Sequence, residues 1–447
     1  MATTKGAHIL VIPHTASGHI IPILDLTRHL LLRGMTISIT LIPQHLPLLQ
    51  PLLSAHPSSL HPLFLSPPKP TSISSKFPIL NSFLASDDHL DQIVPWFRSH
   101  PSPPVAMISD FVLTWTHRLS QLLLMPRIIF SPMGSCGFSV FCTIWRDSPE
   151  NVTGDENLTV GFKKIPHFPI YPWWQISRLY REYRRGDPDW DFFRSELLES
   201  LVSCWGLVIN TFRELEGAYL DYLRKEMGFK RLWAVGPLLP EINSVDHLGQ
   251  MGGPSSMPIH DVLTWLDKWQ DSSVVYVCFG THAVLTRKQK DALAIALEIS
   301  GVRFIWCIRD QGAADGDLMV DEFKDRVGER GLVIKVWAPQ AAILKHPAVG
   351  AFITHCGWNS TIEGINAGVR MIAWPIEFDQ FINAKLLVEQ LGVAVRACNG
   401  RDNVPDPNDL AQKLVQSLEE KGNGVKGGTS QRDLHELIKM LNEFGGC

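Results

Sequence analysis

Between Trp337 and Gln380 the chain runs WAPQAAILKHPAVGAFITHCGWNSTIEGINAGVRMIAWPIEFDQ. The apolar run 351–353 ends in Thr354 and His355, and Cys356 and Gly357 supply a tight turn. Helical spacing then continues to about Ala367, where Gly368 suits a left-handed cap. The order is strand end, loop, short helix, strand, turn, helix. A helix that opens at HCGWNS presents unpaired backbone N–H groups and the positive end of its dipole, which together make an anion site. His355, Asn359 and Ser360 add side-chain donors there, so a diphosphate can be held without a P-loop.

The same alternation extends to both sides. Downstream of the linker come a helix near residues 261–268, the strand SVVYVCFG (273–280), and a capping-box pair, Thr286 with Gln289, that opens a helix to about Ile299. The strands VRFIWCIR and LVIKVW lead into the quoted stretch. A helix over 381–391, the strand VAVRAC, and a helix capped by Asp406-Pro407 follow it. In the first half, AHILVIP (7–13), the loop HTASG, a helix from His19 to Leu32 and the strand MTISITLI form an opening βαβ. Residues 44–100 read as loops and short helices. VAMISD (105–110) and PRIIFSP are strands, and the loop of the second carries Ser131, Ser135 and Ser139. WGLVINTFRELE and LWAVGPLLP end the half, and residues 241–259, rich in Gly, Ser and Pro, read as an interdomain linker. Repeated strand–helix alternation predicts parallel sheets covered by helices, with ligands beyond the carboxyl ends of the strands. The dinucleotide pattern G-x-G-x-x-G is absent from the first βα turn.

The 447 residues suit two or three domains, since domains run to about 100–200 residues. A hydrophobic content of 45% and a charged content of 19% describe an ordinary globular chain, and the net charge of −4 excludes the basic face of a nucleic-acid binder. Eight scattered cysteines without metal-ligand spacing read as reduced thiols, no apolar run reaches a membrane span, and no secretory pattern opens the chain. The expectation is a cytoplasmic monomer.

The stretch from Trp337 to Gln380 closely resembles the signature box of plant secondary-product glycosyltransferases, the UDP-sugar-dependent family 1 enzymes. The match runs through Pro-Gln, His-Cys-Gly-Trp-Asn-Ser and Glu363 to the closing Asp-Gln, and departs at Arg370, where the family usually has Pro. The resemblance implies an α/β fold of GT-B type: two Rossmann-like doubly wound parallel-sheet domains facing across a cleft. It implies an acceptor-binding domain over 1–240, a UDP-sugar-binding domain over 260–428, and a C-terminal helix over 429–447 packing back toward the first domain. SDFVLTWTHRL and PRIIFSP resemble the branch that acts on flavonols and hydroxybenzoates.

Glycosyl transfer needs a base for the acceptor hydroxyl and charge stabilisation for the leaving diphosphate. The resemblance places the base at His19, in the context Gly18-His19-Ile20-Ile21-Pro22, with Asp110 behind its imidazole. His14 occupies a position usually aromatic in the family, which suits a wall or acceptor contact. For the donor, the resemblance implies Trp337 stacked on uracil, Ala338 and Gln340 reaching uracil and ribose, and Glu363 on both ribose hydroxyls. Gly280, Thr281, His355, Gly357, Trp358, Asn359 and Ser360 surround the phosphates, and Asp379 and Gln380 bond the hexose. The Asp-Gln ending goes with glucose in resembling enzymes. Taken singly, Trp337 is equally a core aromatic, His355 a satisfied core histidine, Asn359 and Ser360 helix caps, and Asp110 a strand-end carboxylate. DPDWD (187–191) reads as a solvated acidic turn, and no metal is expected. The reading is an inverting UDP-glucose-dependent O-glucosyltransferase acting on a small lipophilic hydroxyl acceptor of phenolic type. Its rivals are a UDP-xylose or UDP-rhamnose donor, a UDP-sugar-binding protein without turnover, and a nicotinamide-dependent oxidoreductase.

Overall fold

The computed structural model describes residues 6–67, 87–239, 257–281, 283–308, 322–419 and 430–445. The chain divides into two compact units, Met1–Leu238 with Gly427–Cys447, and Leu239–Lys426.

The first unit is built on β1 (His8–Ile12), β2 (Thr36–Leu41), β3 (Leu60–Phe64), β4 (Ala106–Asp110), β5 (Arg127–Ser131), β8 (Gly206–Ile209) and β9 (Leu232–Ala234). A separate two-stranded antiparallel ribbon, β6 (Thr159–Gly161) with β7 (Ile170–Pro172), lies between β5 and β8 in sequence. The seven strands are parallel in the order β3-β2-β1-β4-β5-β8-β9. All but β3 are buried along their whole length and largely apolar, as strands covered on both faces must be. The helices that matter for the site are α1 (Ser17–Leu31), α2 (Ser135–Asp147) and α3 (Arg213–Lys225).

The second unit holds β10 (Val274–Cys278), β11 (Arg303–Ile308), β12 (Gly331–Lys335), β13 (Val349–Thr354), β14 (Arg370–Ala373) and β15 (Ala394–Arg396). They are parallel in the order β12-β11-β10-β13-β14-β15. Its helices include α4 (Arg287–Ile299), α5 (Gln340–Lys345), α6 (Trp358–Ala367) and α7 (Gln380–Lys385). The Thr286–Gln289 capping box is present at α4, and Gly368 ends α6 with φ 71°. In each sheet the chain winds outward one way from the first strand and then the other way. The switch point lies between β1 and β4 in one unit and between β10 and β13 in the other.

The last helix, α8 (Ser430–Gly445), follows the second unit in sequence but belongs to the first. Leu434, Leu437, Ile438 and Leu441 enter the first unit's core with β1, β2 and α1. Asn442 Oδ1 accepts from Ala7 N–H, and Asp433 Oδ2 accepts from Ala234 N–H on the outermost strand.

Several local expectations change. Residues 44–100 hold a regular strand, β3, and a helix over Asp87–Ser99, as well as the expected loops and the helix Leu46–Ala55. Pro62 sits within β3, which a sheet edge tolerates because its outer N–H positions need no partner. Ser135 and Ser139 lie on α2, not in a loop. The helix predicted over 381–391 is α7 continued by a π turn, Leu386–Gln390. Residues 241–256 of the linker and the glycine-rich 422–428 lie outside the described residues.

Candidate active site

The first unit brings His19 and Asp110 together at its switch point. β4 ends on Asp110, which is fully buried, and α1 carries His19 on its first turn after β1. His19 Nδ1 lies 2.8 Å from Asp110 Oδ2, with the imidazole side chain 25% exposed. The other carboxylate oxygen accepts from Val112 N–H. A carboxylate accepts only, so Nδ1 carries the hydrogen and Nε2 holds the lone pair. Phe111 stacks on the His19 ring at 6.1 Å, and Phe138 and Phe141 from α2 meet Phe111 edge-on at 5.2 Å each. His14 lies 4.9 Å ring to ring from His19, and its Nδ1 accepts from Ala16 N–H. Ser139, a candidate sugar contact by position, is buried and gives its hydroxyl to the Ser135 carbonyl.

The second unit collects the remaining predicted residues at the carboxyl ends of β10, β12, β13 and β14. The turns after β10 and β13 close on His355. A Cβ at Gly280 or at Gly357 would stand 2.5 Å from the imidazole and displace that ring, and at Gly280 the φ of 71° favours glycine besides. Gly357 is the N-cap of α6 and brings no side chain. Trp358, Asn359 and Ser360 therefore lie inside the first turn, and Asn359 and Ser360 are not caps.

Three other groups of contacts set the site. Gln340, first residue of α5, donates from Nε2 to Ser360 Oγ and to Glu363 Oε2, both at 2.9 Å, and accepts from Tyr276 OH at 3.4 Å. Burial pushes the Glu363 carboxyl up to about 7, with the Gln340 bond and nearby Lys345 pulling the other way. Trp337 is presented by a tight turn: its N–H bonds back to the Lys335 carbonyl across Val336, whose φ is 72°. Ala338 is buried behind it, and Thr281 follows Gly280 half-exposed. Asp379 precedes α7 and shares one oxygen with Asn383, whose amide also reaches the Cys356 carbonyl. Gln380 is 5% exposed, and its amide oxygen accepts from Ile376 N–H and Glu377 N–H at 2.9 Å each. The acceptor of this amide is therefore used by the loop, and its N–H donors remain for a ligand.

Val336, Cys356 and Phe378 all have left-handed backbone, with φ 72°, 61° and 56°, and each adjoins a predicted ligand residue. Strain of that kind collects where a backbone must present side chains to a ligand. In the DPDWD segment, Asp187 caps the helix Pro188–Val202 through Asp189 N–H and Trp190 N–H, and Asp191 takes the Tyr183 hydroxyl and Gly186 N–H. Among the described residues no three His, Cys, Asp or Glu side chains gather as metal ligands, and no helix is long and apolar enough to cross a membrane.

The UDP-glucoronosyl and UDP-glucosyl transferase family model matches residues 229–403. A flavonol 3-O-glucosyltransferase of Arabidopsis thaliana is 44% identical over 92% of this chain and 88% of its own. UDP-glycosyltransferase 89B2 of Stevia rebaudiana is 44% identical over 93% and 90%. Among solved structures, Arabidopsis thaliana UGT89C1 complexed with UDP-L-rhamnose superposes with a TM-score of 0.78 at 33% identity, covering 98% of this chain and 100% of that one. The relatives and the solved structure each cover more than nine-tenths of the chain, and the chain belongs to the UDP-glycosyltransferase family of plants, glycosyltransferases of GT-B fold.

Proposed function

We propose that the protein is an inverting UDP-glucose-dependent O-glucosyltransferase for small phenolic acceptors of flavonoid or hydroxybenzoate type, with His19 as the base. The observation that carries this reading is the His19–Asp110 pair: a fully buried carboxylate on Nδ1 at 2.8 Å, and a partly exposed ring. Asp110 fixes the tautomer and stabilises the imidazolium that forms. His19 Nε2 takes the hydroxyl proton as the acceptor oxygen bonds to the anomeric carbon. The bond from that carbon to the diphosphate oxygen breaks on the opposite side, giving a β-glycoside and UDP. Charge on the leaving diphosphate is met by the α6 start and its His355, Asn359 and Ser360 side chains. Phe111 and Phe138 are buried in an aromatic cluster beside the base, and the half-buried Phe141 is the ring of that cluster suited to meet a flat phenol.

The relatives support the substrate classes. One is named a flavonol 3-O-glucosyltransferase, and Arabidopsis UGT89C1 has been crystallised with quercetin. The proposal also places the enzyme in the cytoplasm as a monomer; seven described cysteines are free thiols, which a reducing compartment preserves. A fluorescent fusion and light scattering test those two statements.

The decisive variant is His19→Ala, assayed with UDP-glucose and a weakly acidic acceptor hydroxyl. Turnover should fall by about 10²–10⁴-fold while UDP affinity survives, as for loss of a general base. Near-wild-type kcat would remove His19 from that role.

A further inference from the structure

We propose that Glu216 is a positioning residue for the acceptor side of this reaction: its carboxylate seats the first turn of α2, and α2 holds the aromatic wall against which His19 is set. The inference rests on the role proposed for His19.

Glu216 is 1% exposed. Its carboxylate accepts from Ser135 N–H at 2.7 Å, Cys136 N–H at 2.8 Å and the Thr211 hydroxyl at 2.6 Å. Its own carbonyl accepts from Ser135 Oγ. The N-cap of α2 is Gly134, which has no side chain to offer. The first two unpaired N–H groups of the helix are met here by a carboxylate some 80 positions away in sequence. α3 is broken where that carboxylate leaves it, with φ −133° and ψ 29° at Glu216. Burial raises the carboxyl's pKa, and the donors around it oppose that rise.

The consequence runs through α2. Phe138 and Phe141, stacked on each other, both meet Phe111 edge-on, and Phe111, next to Asp110, stacks on the His19 ring. β4 and β5 are neighbours, so the start of α2, just beyond β5, stands at the same sheet edge as Asp110. Moving the first turn of α2 therefore moves the buried Phe138 and the half-buried Phe141, and with them the Phe111 ring that sets the imidazole.

The test is Glu216→Gln, whose amide has one acceptor oxygen and sets an N–H₂ against the remaining donor. In the folded variant, well below its own melting point, kcat/KM for a phenolic acceptor should fall by about 10–100-fold, as for a small misplacement at a reacting centre. Kd for UDP, measured calorimetrically, should stay at the wild-type value. Thr211→Val, which leaves the carboxylate on both helix N–H groups, should keep acceptor kinetics close to wild type. A lowered Tm with wild-type acceptor kcat/KM would make Glu216 a fold pin only and overturn the proposal. So would a loss of UDP affinity equal to the acceptor loss. If Glu216→Gln does not fold, Glu216→Asp, shorter by one methylene, is read by the same two quantities. Absence of turnover in the wild type with any UDP-sugar would instead defeat the glycosyl-transfer reading itself.

Discussion

The carboxamide oxygen of Gln380 accepts from two backbone N–H groups of its own loop, so the proposed sugar contact falls to its two N–H donors. Gln380→Ala removes both jobs at once. Gln380→Glu keeps the acceptor for the loop and deletes the donors, and it should lower kcat/KM for UDP-glucose by roughly tenfold, the worth of one lost hydrogen bond. Kd for UDP should hold, whereas Gln380→Ala should also lower Tm; wild-type kinetics in the Glu variant would show that the donors bond no sugar. Glu363 makes a pH prediction. Its folded pKa is raised to about 7 against a usual 4.5. The unfolded chain ionises first, so this group takes stability away as pH rises from about 4.5 to 7 and no further above that. If ribose hydroxyls donate to this carboxylate, as the family resemblance implies, they favour its ionised form and binding draws the proton off. UDP-glucose, which has no phosphate titrating near neutrality, should bind with proton release below pH 7 and tighten as pH rises from about 6 to 8. Calorimetry in buffers of different ionisation enthalpy reads this directly, and equal proton release in Glu363→Gln would assign it elsewhere.

At the scale of elements, α8 carries the clearest expectation. Four of its side chains sit in the first unit's core, and each fully buried Leu or Ile contributes roughly 1.5–3 kcal/mol. Against a total of about 5–15 kcal/mol for a domain, that is too much to lose. Deleting 430–447 should leave the first unit unfolded or readily digested and abolish activity; unchanged Tm and turnover would show the helix is dispensable. The elements also show what the sequence could disclose. Strands such as β1, β4, β10 and β13 were legible because each is built on a short, mostly apolar run that is almost wholly buried. β3 was not, because Pro62 looks like a breaker until the strand is known to lie at an edge. Cys356 in left-handed backbone and the His355 ring pressed between Gly280 and Gly357 also escaped notice, since a turn's residues do not state its geometry.

At the scale of the molecule, both sheets wind outward from their first strand, and each places predicted residues at its own switch point. That regularity is invisible as sequence repetition, because the same topology is met with different side chains: a His–Asp pair in one unit, a jacketed histidine and a helix start in the other. The residues of the quoted box were readable because they are contiguous. Glu216 was not, because its partners lie some 80 positions away, and only the folded chain brings them together. The family settles the class of chemistry, and the donor sugar is the claim most open to test. The measurement is kcat/KM for UDP-glucose, UDP-galactose, UDP-xylose and UDP-rhamnose against one flavonol, with the purified full chain. UDP-glucose should lead and the product should be a β-glucoside; UDP-xylose or UDP-rhamnose ahead by about tenfold, or ~1.4 kcal/mol in transition-state stabilisation, would contradict the account.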